Sequence, residues 1–272
     1  MFKNIIFLAT TILCIIQVNA QSNKALVVGK QIVKTTKMDM KYSSEMMRQQ
    51  IEQTVVTSTK SEMVIISATD TEIKIEDKIK KLKMNSEAMG QQMEFDSDNP
   101  NENGLLKNLN DIINKTTIIT ANGNGIIKTV KYDETVEKLQ AQSPINGNGY
   151  EIGQLLSFIL LLPKEISIGT TWNQKVGNDE LKEEYTYTVK SIENGTANID
   201  FTAILTQDKK SEMQGNKVES KLYGTMSGKL FVDVKTNFVF SRITTSNLKG
   251  TIEVMGQSAP VEMTMVTEEF FQ

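Results

Sequence analysis

Long stretches of two-residue alternation constrain this chain more than any other feature. Residues 30–42 place Ile32, Lys34, Thr36, Met38, Met40 and Tyr42 on one face, and Gln31, Val33, Thr35, Lys37, Asp39 and Lys41 on the other. Residues 54–69 and 71–84 continue the β-branched, alternating pattern, which marks strands with one face covered. The last third reads the same way. Tyr185–Ile192 and Ala197–Leu205 flank an Asn194-Gly195 turn, and the runs 218–234, 238–254 and 261–271 follow. At about 3.3 Å per residue the longest runs would exceed roughly 50 Å if flat, so a sheet built from them must twist and coil.

The middle of the chain changes character. Leu105, Leu106, Leu109, Ile112 and Ile113 fall at helical spacing, residues 133–141 read as a short helix, and Ile152–Leu162 reads as an apolar helix stopped by Pro163. Between the first two lies a hairpin, Thr117–Ala121 and Ile126–Val130 around Asn122-Gly123-Asn124-Gly125. Gln91–Phe95 is a shorter strand closed by the polar stretch 96–104. Strands, then helices around a hairpin, then strands again predict the α+β class: a strongly coiled antiparallel sheet of about eleven strands, an open or half-closed barrel with about three helices over its concave face.

The N-terminus carries the marks of a secretory leader. Lys3 precedes an apolar run from Ile5 to Ile16, and Val18 and Ala20 supply the small residues wanted before a cleavage point. That run is too short to span a bilayer. Cys14 raises lipidation as an alternative, but it lies inside the run behind Leu13, where lipoprotein processing wants a small residue. The expectation is a leader over 1–20 and a single β-rich domain over 21–272 with a helical insert at 104–163, exported to the periplasm or beyond. The processed chain would hold no cysteine, leaving its core to hold it together.

Composition closes several doors. The chain has no histidine and one cysteine, which removes Ser-His-Asp and Cys-His machinery, thiolate clusters and imidazole ligands. A net charge of −3 and only two arginines, Arg48 and Arg242, give no footprint for nucleic acid. The stretch Asp96–Asn103 is rich in oxygen ligands but fails the EF-hand pattern, with Pro100 at its fifth position and no closing glutamate. No phosphate-loop, dinucleotide or nucleophile-elbow motif occurs. The expectation is a protein that is not an enzyme, with no catalytic residues, no metal and no cofactor.

Methionine, at 14 copies, is the unusual residue. Met38-Asp39-Met40 and Met263-Thr264-Met265 resemble the thioether pairs of copper carriers, yet a spacing of two on a strand puts both side chains on one face, as any core pair would be. Short words also recur where the chain should turn: Glu45-Met46-Met47-Arg48-Gln49, Glu87-Ala88-Met89-Gly90-Gln91, Glu212-Met213-Gln214-Gly215 and Glu253-Val254-Met255-Gly256-Gln257. In a meander these turns should gather at one rim and the purely polar turns at the other. Trp172, the lone tryptophan, reads as a core anchor where a helix hands over to the last sheet segment.

The leader, the Met-rich first strands, the phrase Met93-Glu94-Phe95-Asp96-Ser97-Asp98-Asn99 and the pattern Pro163…Ile168-Gly169-x-x-Trp172 together resemble an uncharacterised family of exported proteins, a domain of unknown function common in Bacteroidetes. That resemblance brings no activity and no site residues. More loosely, the expected architecture resembles the lipoprotein-carrier fold of the bacterial envelope, an unclosed barrel under a helical lid, which implies shelter for acyl chains. Two functional expectations follow. One is a carrier for a lipid or other hydrophobic ligand, lined by Met38, Met40, Leu155, Phe158, Ile159, Leu162, Trp172, Met263 and Met265. The other is a structural or protein-interaction module of the envelope or cell surface, docking a partner at the Met-bearing hairpin tips. A cavity beneath 152–162 favours the first, and a filled interior the second.

Overall fold

Alternation becomes strand wherever it was expected, and in one further place. The computed structural model describes residues 26–46, 49–100, 106–142, 150–213, 216–254 and 256–272. The expected leader, residues 101–105, the polar loop 143–149 and the turn residues Met47, Arg48, Gln214, Gly215 and Met255 lie outside that set. The strands are β1 (Gln31–Met46), β2 (Gln49–Ala68), β3 (Glu72–Ala88), β4 (Gln91–Asp96), β5 (Thr116–Asn122), β6 (Ile127–Tyr132), β7 (Thr171–Gly177), β8 (Leu181–Glu193), β9 (Thr196–Met213), β10 (Asn216–Asp233), β11 (Val239–Val254) and β12 (Gln257–Phe271). The strand that pattern reading missed is β7, which carries Trp172; polar Gln174 stands between Trp172 and Val176 on its inner face and breaks the alternation.

All twelve strands form one antiparallel sheet in the order β6-β5-β3-β2-β1-β12-β11-β10-β9-β8-β7, with β4 paired to β3 beside β5. The first and last strands meet at its centre, where Met40 lies opposite Met265 and Lys34 opposite Phe271. On one side of this pair the chain meanders through β1–β4, and on the other through β9–β12. The β1–β2, β3–β4, β9–β10 and β11–β12 turns lie at one end of the sheet, and the turns at 69–71, 194–195 and 235–237 at the other. The described parts of the recurring words, such as residues 87–91 and Gly256-Gln257, therefore mark one rim. The outermost strands, β6 and β7, do not pair with each other, so the sheet stays open.

The α+β expectation fails, and with it the barrel under three helices. The described residues hold one α-helix, α1 (Glu134–Gln142), and a 3-10 turn at Lys107–Ile112 where an amphipathic helix was expected. The apolar run 152–162 is not helical. It is an extended strap laid across the concave face at the polar-turn end. The Ile127 and Leu156 amides donate to the Gln154 and Gly125 carbonyls on one side, and the Leu160 and Val239 amides to the Asn237 and Phe158 carbonyls on the other. Isolated bridges join Ile126 to Leu155 and Ile159 to Phe238. A short apolar run fits a buried strand as well as a buried helix, and backbone partners at both edges decide the matter here.

The strap separates and joins two cores. Leu156, Phe158, Ile159 and Leu161 pack with Ile32, Met63, Ile65, Ile75, Phe238 and Phe271. Leu160 and Leu162 pack with Trp172, Tyr185, Tyr187, Ile199, Phe201 and Leu230. Consecutive strap residues thus serve opposite halves of the sheet, which an extended backbone permits and a helix does not. A third cluster of Ile79, Leu82, Phe95, Ile112 and Val136 seats α1 and the 3-10 turn. The strap's first residues bridge the two sheet edges: Gly153 (φ 97°) hydrogen-bonds Ile127 and also lies against Gly177 of β7, 2.9 Å from where its side chain would begin.

Candidate functional site

Strand parity builds the site. Neither β1 nor β12 has a bulge against its neighbours, so Ile32, Lys34, Thr36, Met38, Met40, Tyr42 and Ser44 share the concave face with Phe271, Glu269, Thr267, Met265, Met263 and Val261. Read from the strap toward the Met-bearing rim, the central pair is banded. Ile32 and Phe271 belong to the core under the strap. Lys34 and Glu269 come next, then Thr36 and Thr267, then Met38, Met40 and Met265, then Tyr42 and Met263.

Of the residues expected to line a hydrophobic site, Met38, Met40, Met263 and Met265 come together on these two strands, all half-buried. Their flanks are apolar or small: Val55 on β2, Ser246 on β11 and Met226 on β10 occupy the same cross-strand row as Met40 and Met265. Phe158, Ile159 and Leu162 lie elsewhere, in the cores, at 2%, 5% and 5% exposure, and Leu155 packs against the Trp172 core. Trp172 stacks on Tyr187 with ring centroids 5.0 Å apart. The interior beneath 155–162 is filled by these side chains, so the strap is packing and the methionine face is the part of the predicted set left half-open.

Between strap and methionines runs a shelf of charge that pattern reading missed. Lys34 Nζ lies 2.9 Å from Glu269 Oε1, both largely buried. Burial works to raise the Glu269 carboxyl, but Lys34, Arg242 and a hydrogen bond from Ser157 of the strap outweigh it and hold it below the usual range. On the β3 side Asp77 accepts from the Tyr150 hydroxyl at 3.1 Å, and its Oδ1 is buried without a partner. There burial wins, and the Asp77 carboxyl is raised despite Lys34, Tyr150 and Ser61. On the β11 side Arg242 donates from Nε to Thr244 Oγ1 at 3.1 Å and from Nη2 to the Tyr185 hydroxyl at 3.5 Å. Its guanidinium lies 5.1 Å from the Phe201 ring centroid. Tyr185 in turn donates to Glu183, whose carboxyl burial also raises, and burial pushes the Tyr185 phenol up to about 12.

The signal for this shelf was present in part. Lys34 falls on the apolar face of β1, and Glu269 has the parity of Met263 and Met265. Nothing local assigns Arg242 to the same layer, because its place depends on the β11–β12 register. Glycine at 228, opposite Thr244, lets the Phe201 ring lie flat beside Arg242; a side chain there would begin 2.8 Å from Phe201 Cε1. The strap reaches the shelf through Tyr150 and Ser157, while Glu151 pairs with Lys209 at 3.1 Å beside a 260 Å³ recess between β6 and β9. Among the described residues no cluster of three or more metal-ligating side chains forms, and no helix is long and apolar enough to cross a membrane.

Residues 153–239 match the model of a family of unknown function, DUF6263. The match runs from the strap to the start of β11 and includes the Pro163–Trp172 pattern, while Met93–Asn99 lies outside it. No curated protein matches the chain. Among solved structures, one of lipovitellin describing its lipid–protein interactions is similar over 91% of this chain and 25% of its own, at 9% identity and a TM-score of 0.48. This chain thus spans about a quarter of that one. An outer membrane channel from Pseudomonas putida F1 is similar over 94% of this chain and 100% of its own, at 10% identity and a TM-score of 0.29. The translocator domain of the autotransporter NalP from Neisseria meningitidis is similar over 91% and 90%, at 7% identity and a TM-score of 0.23. Likenesses this distant say nothing about what the chain binds.

Proposed function

We propose that this chain is a non-catalytic binding protein or carrier for a hydrophobic ligand, a lipid or acyl chain, working in the bacterial envelope outside the cytoplasm. The observation that carries the reading is the convergence of Met38, Met40, Met263 and Met265 on the concave face of the two central strands. Thioether side chains are unbranched and adaptable, and they suit a surface that accepts flexible apolar chains. The methionines are half-buried in a face whose other positions, such as Val55, Ser246 and Val261, are buried, and the strap covers the opposite end. Ligand sites are mostly apolar with a few placed polar groups, and the charged shelf beside the methionines supplies those. The leader-like N-terminus supports export.

The test is native mass spectrometry of the full chain, exported and processed in a bacterial host and purified without detergent, before and after organic extraction. A discrete extra mass that leaves with the solvent is expected, and Met40→Asp is expected to lose it while remaining folded. An apo mass, with no uptake of added fatty acid or phospholipid, would sink the carrier reading. It would turn attention to the second reading, protein docking at the Met-bearing rim, which is favoured by the filled interior beneath the strap and by Met89: it stands 73% exposed in the β3–β4 turn beside a 440 Å³ recess.

A further inference from the structure

Arg242 is the shelf cation with no carboxylate at salt-bridge distance. Lys34 has Glu269 at 2.9 Å, and Glu269 is further held by Ser157. Arg242 has no carboxylate within 4 Å among the described residues. Its partners are the Thr244 hydroxyl, the Tyr185 hydroxyl and the face of Phe201. A guanidinium carries five N–H donors and keeps its charge at any accessible pH. Two donors are engaged here, and the second reaches only a hydroxyl at 3.5 Å. Glu269 and Glu183 act on this charge without touching it, and the remaining donors are left for a further partner.

What lies beside it narrows the anion. Along β11 the concave face runs Arg242, Thr244, Ser246, Leu248, and the last two lie opposite Met265 and Met263 of β12. Six residues of strand separate Arg242 from Leu248, about 20 Å, which exceeds the roughly 15 Å that one leaflet's acyl chains occupy in a bilayer. The charge, the hydroxyls and the methionines are therefore spaced for a molecule with one small polar end and one long apolar end. Glu269 and Glu183 weaken the pull of Arg242 on any added anion, and repel a doubly charged one most. That selects a singly charged headgroup over a doubly charged one.

We infer that the concave face binds a single-chain fatty acid, its carboxylate forked on Arg242 beside Thr244 and its alkyl chain laid along Met265, Met263, Met40 and Met38 toward the Met-bearing rim. This rests on the carrier reading and names its ligand class. A planar fork is the geometry that a carboxylate matches with two parallel hydrogen bonds, and an ammonium in its place would not reproduce it. Tyr185, anchored on Glu183, keeps the guanidinium turned toward the Phe201 side.

The experiment titrates the full-length processed protein with palmitate and, separately, with hexadecanol, which has the same chain and no charge, at pH 8. Wild type is expected to hold palmitate about tenfold to a hundredfold more tightly, the worth of a charge-assisted hydrogen bond. Arg242→Met is expected to erase that preference by weakening palmitate far more than hexadecanol, with Arg242→Lys falling between. Thermal melts of each variant report folding, and the comparison of the two ligands on wild type stands even if a variant fails to fold. Equal affinity for palmitate and hexadecanol on wild type, or a palmitate preference that survives Arg242→Met, overturns the headgroup assignment and leaves the carrier reading intact. Binding of neither ligand removes both.

Discussion

Asp77 occupies a place that suits a neutral side chain. Its carboxyl is buried, one oxygen has no partner, and its pKa is raised. A raised carboxyl costs nothing below the ordinary value of 3.8, where folded and unfolded chains both hold the proton, and it weakens the fold as pH rises through the folded value. Asp77→Asn is therefore expected to raise the thermal midpoint at pH 7, by about 2–4 °C for each kcal/mol gained, with the gain fading below pH 3.8. Glu269 has the opposite sign. Its lowered carboxyl contributes stability above the ordinary 4.5 and loses it as pH falls through the folded value. Glu269→Gln strands the Lys34 charge and is expected to cost about 3 kcal/mol near neutrality, the two proteins converging in acid. The methionine positions were legible because a spacing of two fixes a face without any tertiary knowledge. The shelf was not, since Asp77, Lys34, Glu269 and Arg242 become neighbours only through strand registers that no local pattern encodes.

At the scale of elements, the strap is the part that sequence periodicity misassigned. An apolar run from Leu155 to Leu162 satisfies a helix apolar all round and an extended segment buried on both sides equally well. The difference is made at both edges: the Gly125 and Asn237 carbonyls accept from the Leu156 and Leu160 amides, and the Phe158 carbonyl accepts from the Val239 amide. The long strands were read correctly because their alternation spans many residues, and β7 was missed because Gln174 interrupts the face shared by Trp172 and Val176. Phe158 lies between Phe238 and Phe271, with centroids at 6.4 and 6.1 Å. Phe158→Ala is expected to cost about 3–5 kcal/mol. It should also loosen the coupling of the two cores: Trp172 fluorescence, which reports one core, is expected to melt apart from amide exchange at Ile65 and Ile75 in the other. Coincident melts in that variant would show that the strap does not carry the coupling.

At the scale of the molecule, one sheet supports two unlike halves of a concave face. The sealed half supplies stability through its cores, which frees the other to keep methionines half-exposed. Hydrogen exchange should show this division: amides beneath the strap, such as Ile32 and Phe271, are expected to be protected far longer than those of β1 and β12 near the rim. Addition of a bound acyl chain should slow the rim amides and leave the others unchanged. Uniform protection along both strands would contradict the division.

The pairing of β1 with β12 at the centre of the sheet also bears on how the fold is reached. Each meander can form from neighbouring hairpins, but their junction joins segments roughly 200 residues apart, and the entropy of closing so long a loop falls on that step. Folding dominated by such distant partners is slow. While the halves wait for each other, the strands that will carry the methionines have bare edges open to wrong partners. On the export route proposed above the same delay has a use: the last contact made is the one that brings the four methionines together, so a chain halted in transit has no finished face to fill.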